Sequence, residues 1–254
     1  MEIKMIAVDL DDTLLRDDKT VSDRVTATLE KCRDKGIKVI YATARGQSAQ
    51  TLLPSILFDG CVQTNGAFAY AGDLEVYRKQ ISTVHTRELL LAADSAGIQI
   101  VAESGGWHYA NFDVIELWGS GWLTGYEISD FKTLDIDADK IYAIPKSELE
   151  IELLKRHLPD GLYLITARND NFTMLLHEDA NKARGVAALA EHWGFTIDNV
   201  VAFGDDTNDL EMLQYCGIGI AMGNAIDEVK SIADCVCDTN ENDGIAKWLE
   251  EHVL

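Results

Sequence analysis

Two short apolar runs, far apart in the chain, each end in a cluster of carboxylates. Met5-Ile6-Ala7-Val8 runs into Asp9-Leu10-Asp11-Asp12-Thr13, and Val200-Val201-Ala202-Phe203 runs into Gly204-Asp205-Asp206-Thr207-Asn208-Asp209. A brief continuous apolar run, broken by polar turn-formers, reads as a buried strand. Open parallel sheets gather their ligands outside the carboxyl ends of the strands, so segments this distant can meet in one crevice. Asp9 and Asp11 stand two apart. If strand geometry continues through them, both side chains leave the same face. Carboxylates forced together repel unless a cation joins them or one keeps its proton. The first cluster alone reads equally well as a solvated acidic turn, and its recurrence tips the balance.

Two further segments suit an anion. Lys38-Val39-Ile40-Tyr41-Ala42 is strand-like and ends in Thr43-Ala44-Arg45-Gly46. Lys182 follows the polar stretch Glu178-Asp179-Ala180-Asn181 and opens a helical pattern. A hydroxyl beside free backbone N–H groups, with one fixed ammonium, fits a bound phosphate. Paired carboxylates and a cation would then serve a metal-assisted attack on phosphorus. Taken singly, Lys182 reads as a surface lysine, Thr43 as a helix cap and Arg45 as a partner of surface acids; their order along the chain argues otherwise.

These segments, in this order, resemble the haloacid dehalogenase superfamily of phosphatases. Asp9, Asp11 and Thr13 match its D-x-D-x-T; Thr43 matches the Thr or Ser ending a strand; Lys182 matches the lysine; Gly204, Asp205, Asn208 and Asp209 match G-D-x-x-N-D. Thr64-Asn65-Gly66-Ala67, Ala221-Met222-Gly223-Asn224-Ala225 and Glu241-Asn242-Asp243-Gly244-Ile245-Ala246 resemble the Cof-type sugar phosphatase branch, with a type IIB cap. The chain departs from the family pattern in three places. Asp12 stands where Gly is common, Ala44 replaces the Gly of T-G-R, and the stretch before Lys182 lacks the usual proline and glycine.

The resemblance implies a magnesium-dependent phosphoric monoester hydrolase acting on sugar phosphates or similar small metabolites. Mg2+ would be held by Asp9, the backbone carbonyl of Asp11, and Asp205. Asp9 would attack phosphorus and become an aspartyl phosphate. Asp11, protonated at first, would serve the leaving alcohol and then the hydrolytic water. Thr43, Ala44, Arg45, Lys182 and Asn208 would bind the phosphate, and Asp209 would position Lys182 or a metal-bound water. A phosphomutase using the same intermediate and a non-catalytic phosphosugar-binding module are the alternatives. The family also implies an α/β fold, a doubly wound, mostly parallel, Rossmann-like core sheet with an inserted α+β cap domain.

The local patterns agree with that order. Ser22 can cap a helix with Val25, Leu29 and Cys32 on one side and Gly36 at its end; the Thr43 strand follows, then a short helix stopped near Pro54. Asn65-Gly66 and Ala71-Gly72 are hairpin signals. From Lys182 onward helix and strand alternate, with a helix to Trp193, a strand to Phe203, a helix through Met212, a strand at 217–221 and a helix from Ala225. The middle of the chain reads αββ and then βαββ. The expected helices span about 82–97 and 147–158, and the strands 98–102, 107–111, 140–144, 162–167 and 172–177. This sets a core of 1–80 with 180–254 and an insert of 81–179.

Composition narrows the partners. Lys plus Arg number 22 against 43 Asp plus Glu, a net charge of −21. So acidic a chain repels nucleic acid and anionic lipid, so no nucleic acid and no membrane is expected; the small phosphorylated metabolite that the resemblance implies as partner is itself anionic and needs the field offset locally. No apolar run reaches membrane-spanning length and no signal peptide is evident, so the expected location is cytoplasmic. The five cysteines lack a CxxC pair and read as structural thiols. Residues 238–249 fail as a calcium loop, because glycine falls one place late and the twelfth position is Leu249. No histidine has ligand spacing. Trp107, Trp118 and Trp122 read as ordinary packing, with a sugar-gripping role as the rival.

Overall fold

The computed structural model describes residues 2–46, 49, 53, 57–118, 125–166 and 172–254. The chain forms two compact units, one from Met1–Arg78 with Ala180–Leu254 and the other from Lys79–Asp179. In chain order, the first unit begins with β1 (Met5–Val8), α1 (Asp23–Asp34), β2 (Lys38–Ala42), β3 (Gly60–Gln63), β4 (Phe68–Ala71) and β5 (Leu74–Arg78). The second holds α2 (Thr83–Ser95), β6 (Gln99–Ser104), β7 (Trp107–Ala110), α3 (Ile115–Trp118), β8 (Gly125–Ile128), β9 (Lys140–Ile144), α4 (Glu148–Arg156), β10 (Leu162–Thr166) and β11 (Thr173–His177). The first unit resumes with α5 (Lys182–His192), β12 (Val200–Gly204), α6 (Leu210–Tyr215), β13 (Ile218–Ala221), α7 (Asp227–Ile232), β14 (Cys235–Val236) and α8 (Gly244–His252).

The first unit is a doubly wound sheet in the order β14-β13-β12-β1-β2-β3-β4-β5. Every pairing from β14 to β3 is parallel, and β3, β4 and β5 form an antiparallel edge. β1 and β12 are buried at every position, which is why they read as unbroken apolar runs. The chain winds outward from β1 to β2 and β3 on one side, while β12 and β13 lie on the other. That reversal makes β1/β12 the switch point, where carboxyl-end loops part and leave a crevice. Helix starts follow local chemistry: Ser22 accepts from the Val25 amide and Asn181 from that of Arg184.

The second unit is α+β. Its sheet runs β10-β11-β9-β6-β7-β8, antiparallel except for β7 with β8. One apolar cluster joins Leu89 and Leu90 of α2, Leu154 of α4, and Ile100, Ala102, Ile141 and Leu175 from the strands.

In the second unit two described elements go beyond the sequence expectation, the single helical turn α3 and the parallel strand β8. Gly125-Tyr126-Glu127-Ile128 is too short and too exposed for periodicity to announce it. A Cβ at Gly125 would come within 2.2 Å of the Trp107 ring, so Trp107 packs on backbone there. The side chain of Trp118, all of Trp122 and most of the stretch expected to form a helix before Pro54 lie outside the described residues. All five cysteines are free thiols. Among the described residues no helix is long and apolar enough to cross a membrane.

Candidate active site

Strand geometry stops at Val8. The Asp9 amide still bonds to the Phe203 carbonyl at 3.0 Å, but residues Leu10–Leu14 wind into a tight turn with Asp12 left-handed at φ 58°. Asp9 and Asp11 therefore part company instead of sharing a face, and each takes its own cation. Asp9 is buried, with Lys182 Nζ at 2.5 Å from its Oδ1. Asp11 is half-buried; Arg45 donates to both its oxygens at 2.6 and 2.8 Å, and Lys19 donates at 3.0 Å. Asp12 occupies the left-handed position that glycine fills at no cost, a conformation Asp tolerates better than most residues. Its side chain is mainly exposed, 3.6 Å from Lys19.

The second cluster stands beside the first because β12 pairs with β1, Phe203 opposite Val8. Asp205 Oδ1 accepts from Thr13 Oγ1 at 2.8 Å. Asp209 is fully buried; its Oδ1 accepts from Lys182 at 2.7 Å, and its Oδ2 accepts from the amides of Asp205 and Asp206. Gly204 makes room for this arrangement, since a Cβ there would lie 2.5 Å from that of Asp209. Asn208 lies half-buried in the short turn Thr207–Asp209 that precedes α6.

Thr43 ends β2 and is buried. Its Oγ1 accepts from the Arg45 amide at 3.1 Å, which leaves the hydroxyl proton to donate elsewhere. Ala44 follows it, partly exposed. The turn 64–66 clamps this loop: the Thr64 amide bonds to the Arg45 carbonyl and the Asn65 amide to that of Thr43. Gly66, at φ 99°, could not carry a side chain, because a Cβ would sit 2.1 Å from the Asn181 carbonyl. That close approach seats the start of α5, and with it Lys182, against the loop. Thr13 and Lys19 join the candidate residues here. The signal for Thr13 was its place in the motif, while nothing local marks Lys19.

The charges do not balance. Asp9, Asp205 and Asp209 each place a carboxylate oxygen within 4.8 Å of the others, and the single buried ammonium of Lys182 answers them. Burial alone would lower Lys182, but Asp209 and Asp9 outweigh it and hold the ammonium charged. Burial, with the carboxylates of Asp209 and Asp205, pushes Asp9 well up against the pull of Lys182. Burial and Asp209 push Asp205 up to about 7. Excess negative charge on hard oxygen donors fits a divalent cation such as magnesium. Asp209 has both oxygens committed to Lys182 and two amides, so Asp9 and Asp205 are the better side-chain ligands. Asp11 is shifted the other way. Burial would raise it, but Arg45 and Lys19 outweigh that and hold it below the usual carboxylate range.

Residues 6–249 match the haloacid dehalogenase-like hydrolases. Two Bacillus subtilis phosphatases of 5-amino-6-(5-phospho-D-ribitylamino)uracil are similar to this chain from end to end. YitU is 30% identical, covering 99% of each chain, and YcsE is 32% identical over 100% of this chain and 97% of its own. The pyridoxal phosphate phosphatase YbhA of Escherichia coli is 26% identical over the whole of both chains. The solved structure of the phosphatase BT1666 from Bacteroides thetaiotaomicron superposes with a TM-score of 0.85 at 26% identity, covering 98% of this chain and 95% of its own. The subclass IIB sugar phosphatase BT4131 shares the fold, with a TM-score of 0.83 at 22% identity and 98% of each chain covered. With the match running through both units and the acidic crevice at the switch point, the chain belongs to the haloacid dehalogenase-like hydrolases and is an enzyme of their phosphatase branch.

Proposed function

We propose that this enzyme is a magnesium-dependent phosphatase that hydrolyses small phosphate monoesters, sugar phosphates or similar metabolites, through an aspartyl phosphate on Asp9. The observation that carries the reading is the buried Asp9–Lys182–Asp209 array beside Asp205. It keeps one carboxylate fixed by a cation, in a site with more negative charge than its own residues neutralise. Asp9, Asp205 and the backbone carbonyl of Asp11 would hold the metal. When bound, magnesium supplies the positive charge that lets an anionic ester approach these carboxylates.

The chain's own residues perform the rest. Asp9 attacks phosphorus as the ester P–O bond breaks. The Thr43 hydroxyl, the loop backbone at Ala44, the Lys182 ammonium and the Asn208 amide hold the phosphoryl oxygens. Arg45 is drawn from Asp11 toward the phosphate, so one of the two cations that keep Asp11 ionised is diverted. Asp11 then takes up a proton from solvent and gives it to the leaving oxygen; in the second half it takes a proton from the hydrolytic water, whose oxygen bonds to phosphorus as the Asp9–phosphorus bond breaks and frees phosphate. Residues 79–179 act as the inserted cap that discriminates among leaving groups. The substrates named for YitU, YcsE and YbhA are phosphorylated small metabolites, which supports that class here.

The test is phosphate release across sugar phosphates, phosphorylated ribitylamino compounds and pyridoxal phosphate. Turnover should stop with chelator and return with magnesium. Asp9→Asn should keep its thermal transition and lose turnover, because an amide is a poor nucleophile. Hydrolysis by Asp9→Asn at near the wild-type rate would overturn the reading.

A further inference from the structure

Lys19 holds a backbone conformation that long side chains avoid, φ 63°, at the tip of a tight turn. The turn is closed by hydrogen bonds from the Arg16 amide to the Thr20 carbonyl and from the Lys19 amide to the Arg16 carbonyl. Asp18 caps it by accepting from both the amide and hydroxyl of Thr20. Its base is braced from the far end of the chain: Arg16 bonds Asp243, the Asp17 amide bonds Glu241, and Asn240 bonds the Leu15 carbonyl. What this scaffold presents is the Lys19 ammonium, 3.0 Å from Asp11 and 3.6 Å from Asp12. The Lys19 and Asp11 side chains are 42% and 36% exposed. Ion pairs so exposed add little to stability, less than a left-handed non-glycine backbone costs. A stability role therefore does not account for the geometry, and strain of this kind is characteristic of functional sites.

We propose that Lys19 is a positioning residue for the acid/base carboxyl Asp11, holding it in place when the substrate phosphate takes up Arg45. The inference rests on the phosphatase reading above. In the step it serves, an Asp9 oxygen bonds to phosphorus while the ester P–O bond breaks. The ester oxygen keeps the electron pair and takes the proton from Asp11. An alkoxide leaving group needs that proton, and a nitrophenolate hardly does. Misplacing Asp11 therefore penalises alkyl esters selectively, whereas general damage to the site slows both classes alike.

The experiment compares kcat/KM for p-nitrophenyl phosphate and for a hexose 6-phosphate in four proteins: wild type, Lys19→Asn, Lys19→Arg and Asp11→Asn. Asn tolerates the left-handed backbone, so Lys19→Asn removes the ammonium and keeps the turn. In Lys19→Asn the aryl-to-alkyl ratio of kcat/KM should rise about tenfold or more, a fraction of the worth of general acid help. Lys19→Arg should bring most of it back, and Asp11→Asn should raise the ratio further. Equal losses on both esters in Lys19→Asn, or none, alongside a selective loss in Asp11→Asn, would overturn the role of Lys19 alone. No selective loss in Asp11→Asn would overturn the acid/base reading itself.

Discussion

Lys182 is among the largest fully buried side chains of the described residues, and it owes that burial to two carboxylates. A lysine pays heavily to leave water, and here Asp9 and Asp209 offset the loss. Removing the ammonium leaves both acids buried without a cation. Lys182→Met should therefore destabilise the protein by ~3–5 kcal/mol, although methionine fills similar space. Urea unfolding would measure this. The same change should lower kcat by on the order of 10² or more, the usual cost of one donor to developing charge. A variant that kept wild-type stability would mean that the three carboxylates are relieved without Lys182.

Away from the site, single residues also tie elements together. Asp59, just ahead of β3, accepts from the Val39 amide in β2 at 3.0 Å, from Arg33 in α1 at 3.2 and 3.3 Å, and from Lys38 at 3.4 Å. Burial would raise its carboxyl, but the Val39 amide, Arg33 and Lys38 outweigh it and hold Asp59 below the usual range. A carboxyl depressed in the folded state stabilises above its unfolded pKa of about 3.9. The contribution disappears as the pH falls through the folded value. Asp59→Asn should cost ~1.5–3 kcal/mol at pH 7, the worth of a charge-assisted hydrogen bond. The gap to wild type should narrow steadily below about pH 4. Denaturant titrations at neutral and acid pH would check it, and a gap that did not narrow would deny the carboxylate its charged partners.

On the scale of the whole chain, the apolar clusters of the two units share no residue among those described: Leu10, Ile40, Phe203 and their neighbours belong to one, Leu89, Ile100, Leu175 and theirs to the other. Every residue assigned to the reaction falls in the first unit. Replacing 79–179 with a short flexible linker should thus leave a folded protein that slowly hydrolyses p-nitrophenyl phosphate in the presence of magnesium. Discrimination among larger esters should be lost, because contacts remote from phosphorus supply it. A cooperative thermal transition would establish the fold, and kcat/KM over an ester panel would test the ranking. An unchanged ranking would put specificity in the first unit.

The order of elements and the acidic strand ends were legible in the amino-acid sequence, because apolar periodicity, turn residues and helix caps act over a few neighbours. The runs at Met5–Val8 and Val200–Gly204, the cap Ser22, the helix opened by Lys182 and the turn at Asn65-Gly66 all carry local signals of that kind. Tertiary structure decided which charges meet. The turn after Asp9 sends Asp11 to Arg45 and Lys19, Thr13 reaches Asp205 across 192 residues, and β8 joins its sheet in parallel without any pattern of its own. These outcomes depend on strand register and on how deeply each carboxylate is desolvated, and both are set only when distant segments pack.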